Sequence, residues 1–329
     1  MQRRFSLFQG GDGAAPRGLA STLLRCNSIA EMRHLAPLPK DAQELIDRAV
    51  VQVGLDRLVL VSDMMAEGLT FPIPDPLSVM EVTWENEALI GHAIRTMQPS
   101  ARGERQLPDR KIERIPIYAT IDDFSFDARL LRASQRAGTP IDVSMVGQAT
   151  RRVNEAIEDS AFNGAGITVT GNDAPGVLNH TGVNTETLTA AWTTATGAQI
   201  LGDVLDMADT LRDVRRFGPY NLYVPTNYGN ALNDDFKAES DKTIRMRLEE
   251  LSYGGRNLRV RVADMLPDDT VVMIQMTSDI LDIITGQQPT AVSWQDGPGW
   301  QRYFAIISFM VPRIKVDYEG NSGIVVGTP

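Results

Sequence analysis

The chain has 329 residues, of which 43% are hydrophobic and 22% are charged, so it can fill a core and is neither wholly disordered nor collagen-like. Its length suggests roughly two packed units, and its formal net charge of −10 at pH 7 excludes a purely electrostatic nucleic-acid binder, because phosphate binding needs a positive surface. The single cysteine can form no internal disulfide, and the three histidines are too far apart in sequence to indicate a zinc site, which leaves only carboxylate ligands open.

The first segment is basic and rich in glycine. Residues 1–40 contain six basic and two acidic residues, and glycines and a proline interrupt the first twenty. We predict an N-terminal arm over residues 1–38 that packs on neighbouring copies, since a lone arm cannot bury its apolar anchors. These anchors are Phe5, Phe8, Leu23 and Leu24.

The hydropathy pattern indicates a soluble, intracellular protein. The apolar stretch at residues 5–8 is interrupted at once by a glutamine and two glycines, which is not typical of a signal peptide. The longest apolar run, residues 304–311, ends at Pro312 and is far shorter than the roughly 20 residues of a membrane-spanning helix.

Packed structure is predicted to begin near Pro39. A helix with apolar residues at helical spacing is expected from Asp41 to Gly54, followed by a short strand over residues 57–62. Three prolines then exclude a helix at the start of the segment 68–114. We interpret this segment as a long two-stranded excursion, which cannot bury itself and should lie on a neighbour.

The two clearest helices lie in the middle of the chain. One is predicted over residues 142–163, with one apolar face and a stop at Gly164, and the second begins near Ile200 and ends at Gly218. A buried strand is predicted over residues 221–224, and the polar stretch 234–255 is expected to be mobile. Later strands are predicted over residues 258–262, 270–276, 280–285, 303–311 and 313–318. Because the strands cluster late without regular β-α-β alternation, the predicted fold class is α+β.

No motif in the sequence predicts catalysis. Residues 164–171 resemble a glycine-rich phosphate loop, but they follow a helix and lack its lysine, which favours a structural turn. The carboxylate pairs at 122–123 and 268–269 are expected in turns, where such pairs are usually solvated. The four tryptophans are expected as core or interface anchors. We therefore assign no catalytic, metal-binding or cofactor-binding residue and expect no cofactor.

Four phrases of the sequence, in the same order, are similar to those of encapsulins, the shell proteins of bacterial nanocompartments. They are His34-Leu-Ala-Pro with the helix that follows it, residues 156–164, Gly176-Val-Leu-Asn179, and residues 279–288. The resemblance runs over about residues 33–319. The chain thus resembles the tailed-bacteriophage major capsid proteins of the Hong Kong 97 type fold, in their encapsulin-like branch.

The resemblance implies an α+β Hong Kong 97 type capsid fold with four parts. They are an N-terminal arm, an extended loop, a peripheral domain with a spine helix, and an axial domain. The arm would be residues 1–38, the extended loop 68–114, the axial domain 191–300, and the peripheral domain 39–67, 115–190 and 301–329, with the spine helix at about 142–163.

Two departures favour a phage or prophage major capsid protein over an encapsulin that encloses a cargo enzyme. About 32 residues precede the leucine-alanine-proline phrase, at which encapsulins essentially begin, and the 68–114 excursion looks longer than an encapsulin loop. An unrecognised α+β enzyme is the third alternative. The favoured interpretation implies an icosahedral shell of pentamers and hexamers around double-stranded DNA, bound without sequence specificity and without a membrane. A separate scaffolding protein and a portal are expected, a decoration protein is left open, and the virion capsid would assemble in the host bacterial cytoplasm.

Subunit contacts are predicted at the extended loop and the spine helix. The loop residues assigned to this interface are Trp84, Arg102, Arg105, Arg110, Lys111 and Arg114. At least two of the loop arginines should form salt bridges with an adjacent chain, whose spine helix would offer an exposed acidic face of Glu155, Glu158 and Asp159. A covalent bond between Lys111 and Asn321 is not expected, because lysines on exposed loops are usually solvated.

Overall fold

The structure is a computed structural model that describes most of the chain after residue 57. The described residues are 58–88, 109–127, 144–237, 241–295 and 300–329, with Val50, Arg95, Met97, Arg129, Ala133 and Arg136 as single positions. Several predicted features lie outside them, namely the arm with Phe5, Phe8, Leu23 and Leu24, the helix from Asp41 apart from Val50, and the loop residues Arg102 and Arg105.

Helices and strands alternate irregularly along the described chain. The helices are α1 (Leu60–Ala66), α2 (Ser144–Asn163), α3 (Gly197–Asp213) and α4 (Ile244–Glu249). The strands are β1 (Thr70–Pro72), β2 (Glu81–Glu87), β3 (Arg110–Pro116), β4 (Thr120–Asp127), β5 (Thr168–Val169), β6 (Asn172–Asp173), β7 (Asn184–Thr187), β8 (Tyr220–Val224), β9 (Ser252–Tyr253), β10 (Arg256–Asn257), β11 (Arg259–Val262), β12 (Val271–Gln275), β13 (Leu281–Gln295), β14 (Gln301–Ile314) and β15 (Ile324–Thr328).

A four-stranded sheet in the order β1-β13-β14-β4 carries helix α2. The helix forms where it was predicted because its apolar residues recur every three or four positions, and Val146, Val153 and Ile157 are fully buried or nearly so. It ends at Gly164, whose φ of +81° favours glycine. A Cβ there would lie 2.8 Å from the backbone nitrogen of Gly176, so this turn also needs the absence of a side chain.

A five-stranded sheet in the order β11-β8-β12-β15-β7 lies between two layers of helix. Alternate residues of its central strands contact α3 on one face, as Leu222 and Met273 do, and the α1–α2 layer on the other, as Tyr223 and Ile274 do. All residues of β8 and β12 are therefore buried, which explains their continuous apolar sequence. Helix α3 matches the helix predicted from Ile200, and its start is fixed by a capping box between Thr196 and Gln199.

Two local predictions are wrong. Residues 57–62 were expected as a strand, but helix α1 begins at Leu60. The polar stretch 234–255 was expected to be mobile and was assigned no helix or strand, but it contains α4, whose N-cap Thr243 accepts a hydrogen bond from the Met246 N–H, and strand β9. In both places a side chain accepts hydrogen bonds from the first backbone N–H groups of the helix, which have no partner within the helix itself.

The late strands are longer than predicted because prolines are accommodated within them. The strands expected over 303–311 and 313–318 are replaced by one strand, β14, that continues through Pro312. Pro312 lies opposite Ile283, whose N–H donates to the carbonyl of Leu69, the residue before β1. Strand β4 pairs with β14 only as far as Ser308. The missing proline N–H is therefore not required by either neighbouring strand.

The carboxylate pair Asp122-Asp123 was also misplaced, since it lies within β4 and not in a turn. Each of the two sheets also takes a strand from another predicted domain range, and the domain limits themselves stay a prediction. β13, inside the range 191–300, belongs to the sheet that carries α2, and β15, inside 301–329, belongs to the five-stranded sheet. The chain therefore passes from one sheet to the other and back near its end.

Candidate assembly interface

Strands β2 and β3 form the antiparallel hairpin predicted for the extended loop. They pair from Glu81 opposite Pro116 to Glu87 opposite Arg110 and constitute a two-stranded sheet of their own. Only Ile115 and Pro116, at the base, are buried in this hairpin. Alternate residues of β2 are exposed on one face and half-buried on the other. A two-stranded ribbon is marginal by itself, and its exposed face is available for contact with another molecule.

The charged residues of the hairpin pair with each other. Arg110 lies 3.1 Å from a Glu85 carboxylate oxygen and 2.9 Å from one of Glu87, and Lys111 lies 3.0 Å from one of Glu113. Arg114 lies 4.0 Å from Glu81. Such exposed pairs contribute about 0–1 kcal/mol each. The predicted bridges from Arg110 and Arg114 to an adjacent chain stay a prediction, and these arginines already have partners within their own chain.

A buried arginine packs against the middle of strand β2. The Arg313 guanidinium lies between two rings, with its central carbon 4.7 Å from the ring centre of Phe71 and 5.2 Å from that of Trp84. Its Nε donates to Asp282 at 2.7 Å, and Lys315 lies 2.7 Å from the same carboxylate. We call Phe71, Trp84, Asp282 and Arg313 the arginine clamp. Trp84, predicted at the subunit interface, is thus half-buried against its own chain.

Glu158 lies in the core and not on an exposed acidic face, so that part of the prediction is wrong. It is 1% exposed, and its carboxylate accepts hydrogen bonds from the N–H groups of Val59, Leu60 and Val61 at 3.1, 2.6 and 3.2 Å. Helix α1 has no side-chain cap of its own, and this carboxylate from α2 supplies it. Burial raises the pKa of Glu158 to about 7, although the three N–H groups act in the opposite direction.

The other two residues of the predicted acidic face remain at the surface of α2. Asp159 is exposed and accepts a hydrogen bond from the Asn163 side chain at 2.7 Å, and Glu155 is half-buried. The outer face of the spine helix therefore carries fewer acidic groups than the sequence suggested.

Helix α1 also binds the edge of the five-stranded sheet, through residues that the sequence analysis missed. Asp63 accepts hydrogen bonds from the Tyr223 hydroxyl and from Arg261, both at 3.0 Å. Glu67 pairs with Arg256 at 2.6 Å and with Arg259 at 3.0 Å. The spacing of Asp63 and Glu67 by four residues would have indicated one helical face, but the segment before them was taken as a strand.

The remaining described residues show no arrangement typical of catalysis. None of them forms a group of three or more histidine, cysteine or carboxylate side chains that could hold a metal. None of the helices described is long and apolar enough to cross a membrane. The glycine-rich segment 164–171 forms a turn and part of the small β5–β6 hairpin. Trp192 and Trp294 are buried and Trp300 is exposed.

Comparisons with known proteins give a family and a fold. The model of a family of unknown function (DUF6260) matches residues 108–327, and no curated protein matches the chain. The virus-like particle from Pyrococcus furiosus is similar with a TM-score of 0.61 and 17% identity, covering 86% of this chain and 98% of that one. The capsid of Myoviridae phage XM1 is similar with a TM-score of 0.60 and 12% identity, covering 80% of this chain and 91% of that one. The capsid of the native GTA particle is similar with a TM-score of 0.57 and 13% identity, covering 82% of this chain and 91% of that one.

These similarities confirm the predicted α+β fold of the Hong Kong 97 type over most of the chain. The identities are low, so the similarity is one of fold. The predicted resemblance to phage capsid proteins and their encapsulin-like relatives holds at that level.

Proposed function

The chain belongs to the DUF6260 family, and we propose that it is a shell protein whose copies assemble into an icosahedral phage or prophage capsid that encloses double-stranded DNA. The observation that carries this proposal is the β2–β3 hairpin, which packs on its own chain through Trp84 and leaves its other face exposed, on a fold shared with capsids over 80% or more of the chain. An exposed, charged hairpin face is suited to contact another copy. The activity is assembly, and no catalytic step is assigned.

Within this proposal the parts of the molecule take the following roles. The sheet with α2 forms the peripheral domain, α2 being the spine helix, and the five-stranded sheet with α3 forms the axial domain. The hairpin β2–β3 is the extended loop. Pentamers and hexamers of the chain, a separate scaffolding protein and a portal complete the shell, which assembles in the host bacterial cytoplasm.

A nanocompartment that encloses a cargo enzyme is the second candidate. The virus-like particle from Pyrococcus furiosus is as similar in fold as the phage XM1 capsid, so the fold does not separate the two functions. The longer hairpin segment and the residues before the leucine-alanine-proline phrase favour the phage capsid.

Particles isolated from the native host test the proposal. Electron microscopy of fractions that contain the chain should show closed shells, and nuclease treatment should leave DNA protected inside them. Shells that contain a co-purifying enzyme and no protected DNA would establish the nanocompartment instead. A chain that sediments as a monomer in every fraction would contradict both functions.

A further inference from the structure

Strand β11 lies at the edge of the five-stranded sheet, and its outer side borders a groove. The strand has a single neighbour in the sheet, β8, with which it pairs in parallel over its whole length. The groove has a volume of about 470 Å³ and is lined by residues 256–261 and by Arg245 and Glu249 of helix α4. A strand edge beside an open groove is a place where another extended segment can add to a sheet.

The backbone of β11 directs alternate residues toward the groove. Ala263, directly after the strand, donates its N–H to the Val224 carbonyl of β8 at 2.9 Å. Because the backbone groups of successive residues in a strand point in opposite directions, Val260 and Val262 present their N–H and C=O groups to the outer side. These two residues are therefore the positions at which the edge could accept a further strand.

Arg245 of α4 occupies the outward carbonyl in the middle of this edge. Its Nη2 donates to the Val260 carbonyl at 3.0 Å, and its Nε donates to Glu249, one turn further along the helix, at 3.0 Å. The carboxylate thus holds the guanidinium in place. Leu258, the residue before β11, donates its N–H to the Leu251 carbonyl at 2.8 Å. A further strand could not bond to the Val260 carbonyl while Arg245 is there.

The arginines of β11 itself supply little of the charge repulsion that commonly protects a sheet edge. Charged side chains on an edge strand keep other strands away, but Arg259 pairs with Glu67 at 3.0 Å and Arg261 pairs with Asp63 at 3.0 Å. An arginine with a carboxylate beside it repels an approaching positive charge less than a lone arginine does. Protection of this edge therefore depends on Arg245.

We propose that Arg245 is an edge guard, which prevents β11 from accepting an extended segment of a second copy of the chain. The excluded partner is a second copy because copies of the chain are each other's most concentrated neighbours within the proposed shell, and partly folded copies present unpaired strands. The inference goes beyond the proposed function, since it concerns a contact that the chain avoids.

Replacement of Arg245 tests the guard in the full-length chain, at a concentration below that at which shells form. Arg245→Ala should aggregate about fivefold faster, as followed by thioflavin T fluorescence and light scattering, which is the factor that corresponds to one ordinary hydrogen bond. Arg247→Ala is the matched control, because Arg247 lies on the same helix but is exposed and pairs with Glu250 at 2.9 Å. It should aggregate as the wild type does, and equal rates for the two variants would overturn the guard.

A lysine on the strand separates an open edge from a general loss of stability. Lysine is a residue with which edge strands avoid pairing, so Val262→Lys added to Arg245→Ala should return the aggregation rate to that of the wild type. Leu205→Lys added to Arg245→Ala is the control, because Leu205 is 39% exposed and Val262 is 37% exposed, but Leu205 lies on α3. It should leave the raised rate unchanged. Suppression by both lysines, or by neither, would overturn the guard and leave the shell function intact, since unassembled chains are compared.

Discussion

The β2–β3 hairpin and the contact between helices α1 and α2 both use carboxylates, with opposite consequences. On the hairpin, Arg110 and Glu85 have side chains that are 55% and 51% exposed, so water and salt screen their attraction. At the contact between α1 and α2, Glu158 is 1% exposed and accepts hydrogen bonds from three backbone N–H groups. The exposed pairs can be exchanged for other partners, whereas the buried carboxylate determines where a helix begins. Burial, and not the number of charges, decides which groups specify the fold.

Removing the buried carboxylate should give the largest effect. Glu158→Ala leaves three buried N–H groups unpaired at the start of α1, and we expect the free energy of unfolding to fall by about 3–5 kcal/mol. Glu155→Ala, on the outer part of the same helix, is the control and should change it by less than about 0.5 kcal/mol. Urea unfolding of the unassembled subunit measures both. Equal effects of the two variants would remove the distinction between the regions.

The pH dependence of stability should isolate the same group. The pKa of Glu158 is raised by burial from its ordinary value of 4.5 to about 7, with Asp264 adding repulsion. Between these values the folded state binds more protons than the unfolded state, so stability should fall as the pH rises. Relative to Glu158→Gln, the wild type should lose up to about 3 kcal/mol between pH 4.5 and 8. A constant difference between the two proteins over this range would contradict the shifted pKa.

The arginine clamp attaches the hairpin to the four-stranded sheet and should give an intermediate effect. Arg313→Lys keeps a positive charge near Asp282 but loses the contacts of the guanidinium with the rings of Phe71 and Trp84, at a cost of about 1–2 kcal/mol. Amide hydrogen exchange should accelerate in β2 and β3 and stay unchanged in α2. Uniform acceleration over the whole chain would mean that the clamp supports general stability and does not fix the hairpin.

The exposed hairpin charges should matter least for the stability of the subunit. Arg110→Gln removes two exposed pairs, to Glu85 and Glu87, and we expect a change below about 0.5 kcal/mol in urea unfolding. Changing Arg102, Arg105 and Arg110 together to glutamine should lower assembly while the subunit stays folded. Unchanged assembly, with shells that are insensitive to salt, would leave apolar contacts as the basis of loop binding.

The sequence allowed the regular elements to be predicted, and long-range contacts account for the errors. Helix α2 and the β2–β3 hairpin follow from local patterns, in which apolar residues such as Val146 and Val153 recur at the period of the element. Helix α1 was missed because its cap, Glu158, lies nearly a hundred residues later in the sequence. The same residue was taken as exposed because a glutamate among charged neighbours on a helix is usually solvated.

The interface residues show the same limit. Trp84 was recognised as an anchor, but its partner Arg313 was not, since nothing local connects residues so far apart. Pro312 was read as the end of a strand because its tolerance depends on which neighbours β14 has at that position.

The position of β15 in its sheet imposes an order of events on synthesis. This strand lies between β12 and β7, and Val325 pairs with Asn184. While the chain emerges from the ribosome, β7 has no partner in this sheet until residues 324–328 have been made. The five-stranded sheet can therefore form in full only after these residues have been synthesised. Chains stopped after residue 320 should be cleaved rapidly by added protease at sites in β7 and β12, whereas resistance equal to that of the full chain would contradict this order.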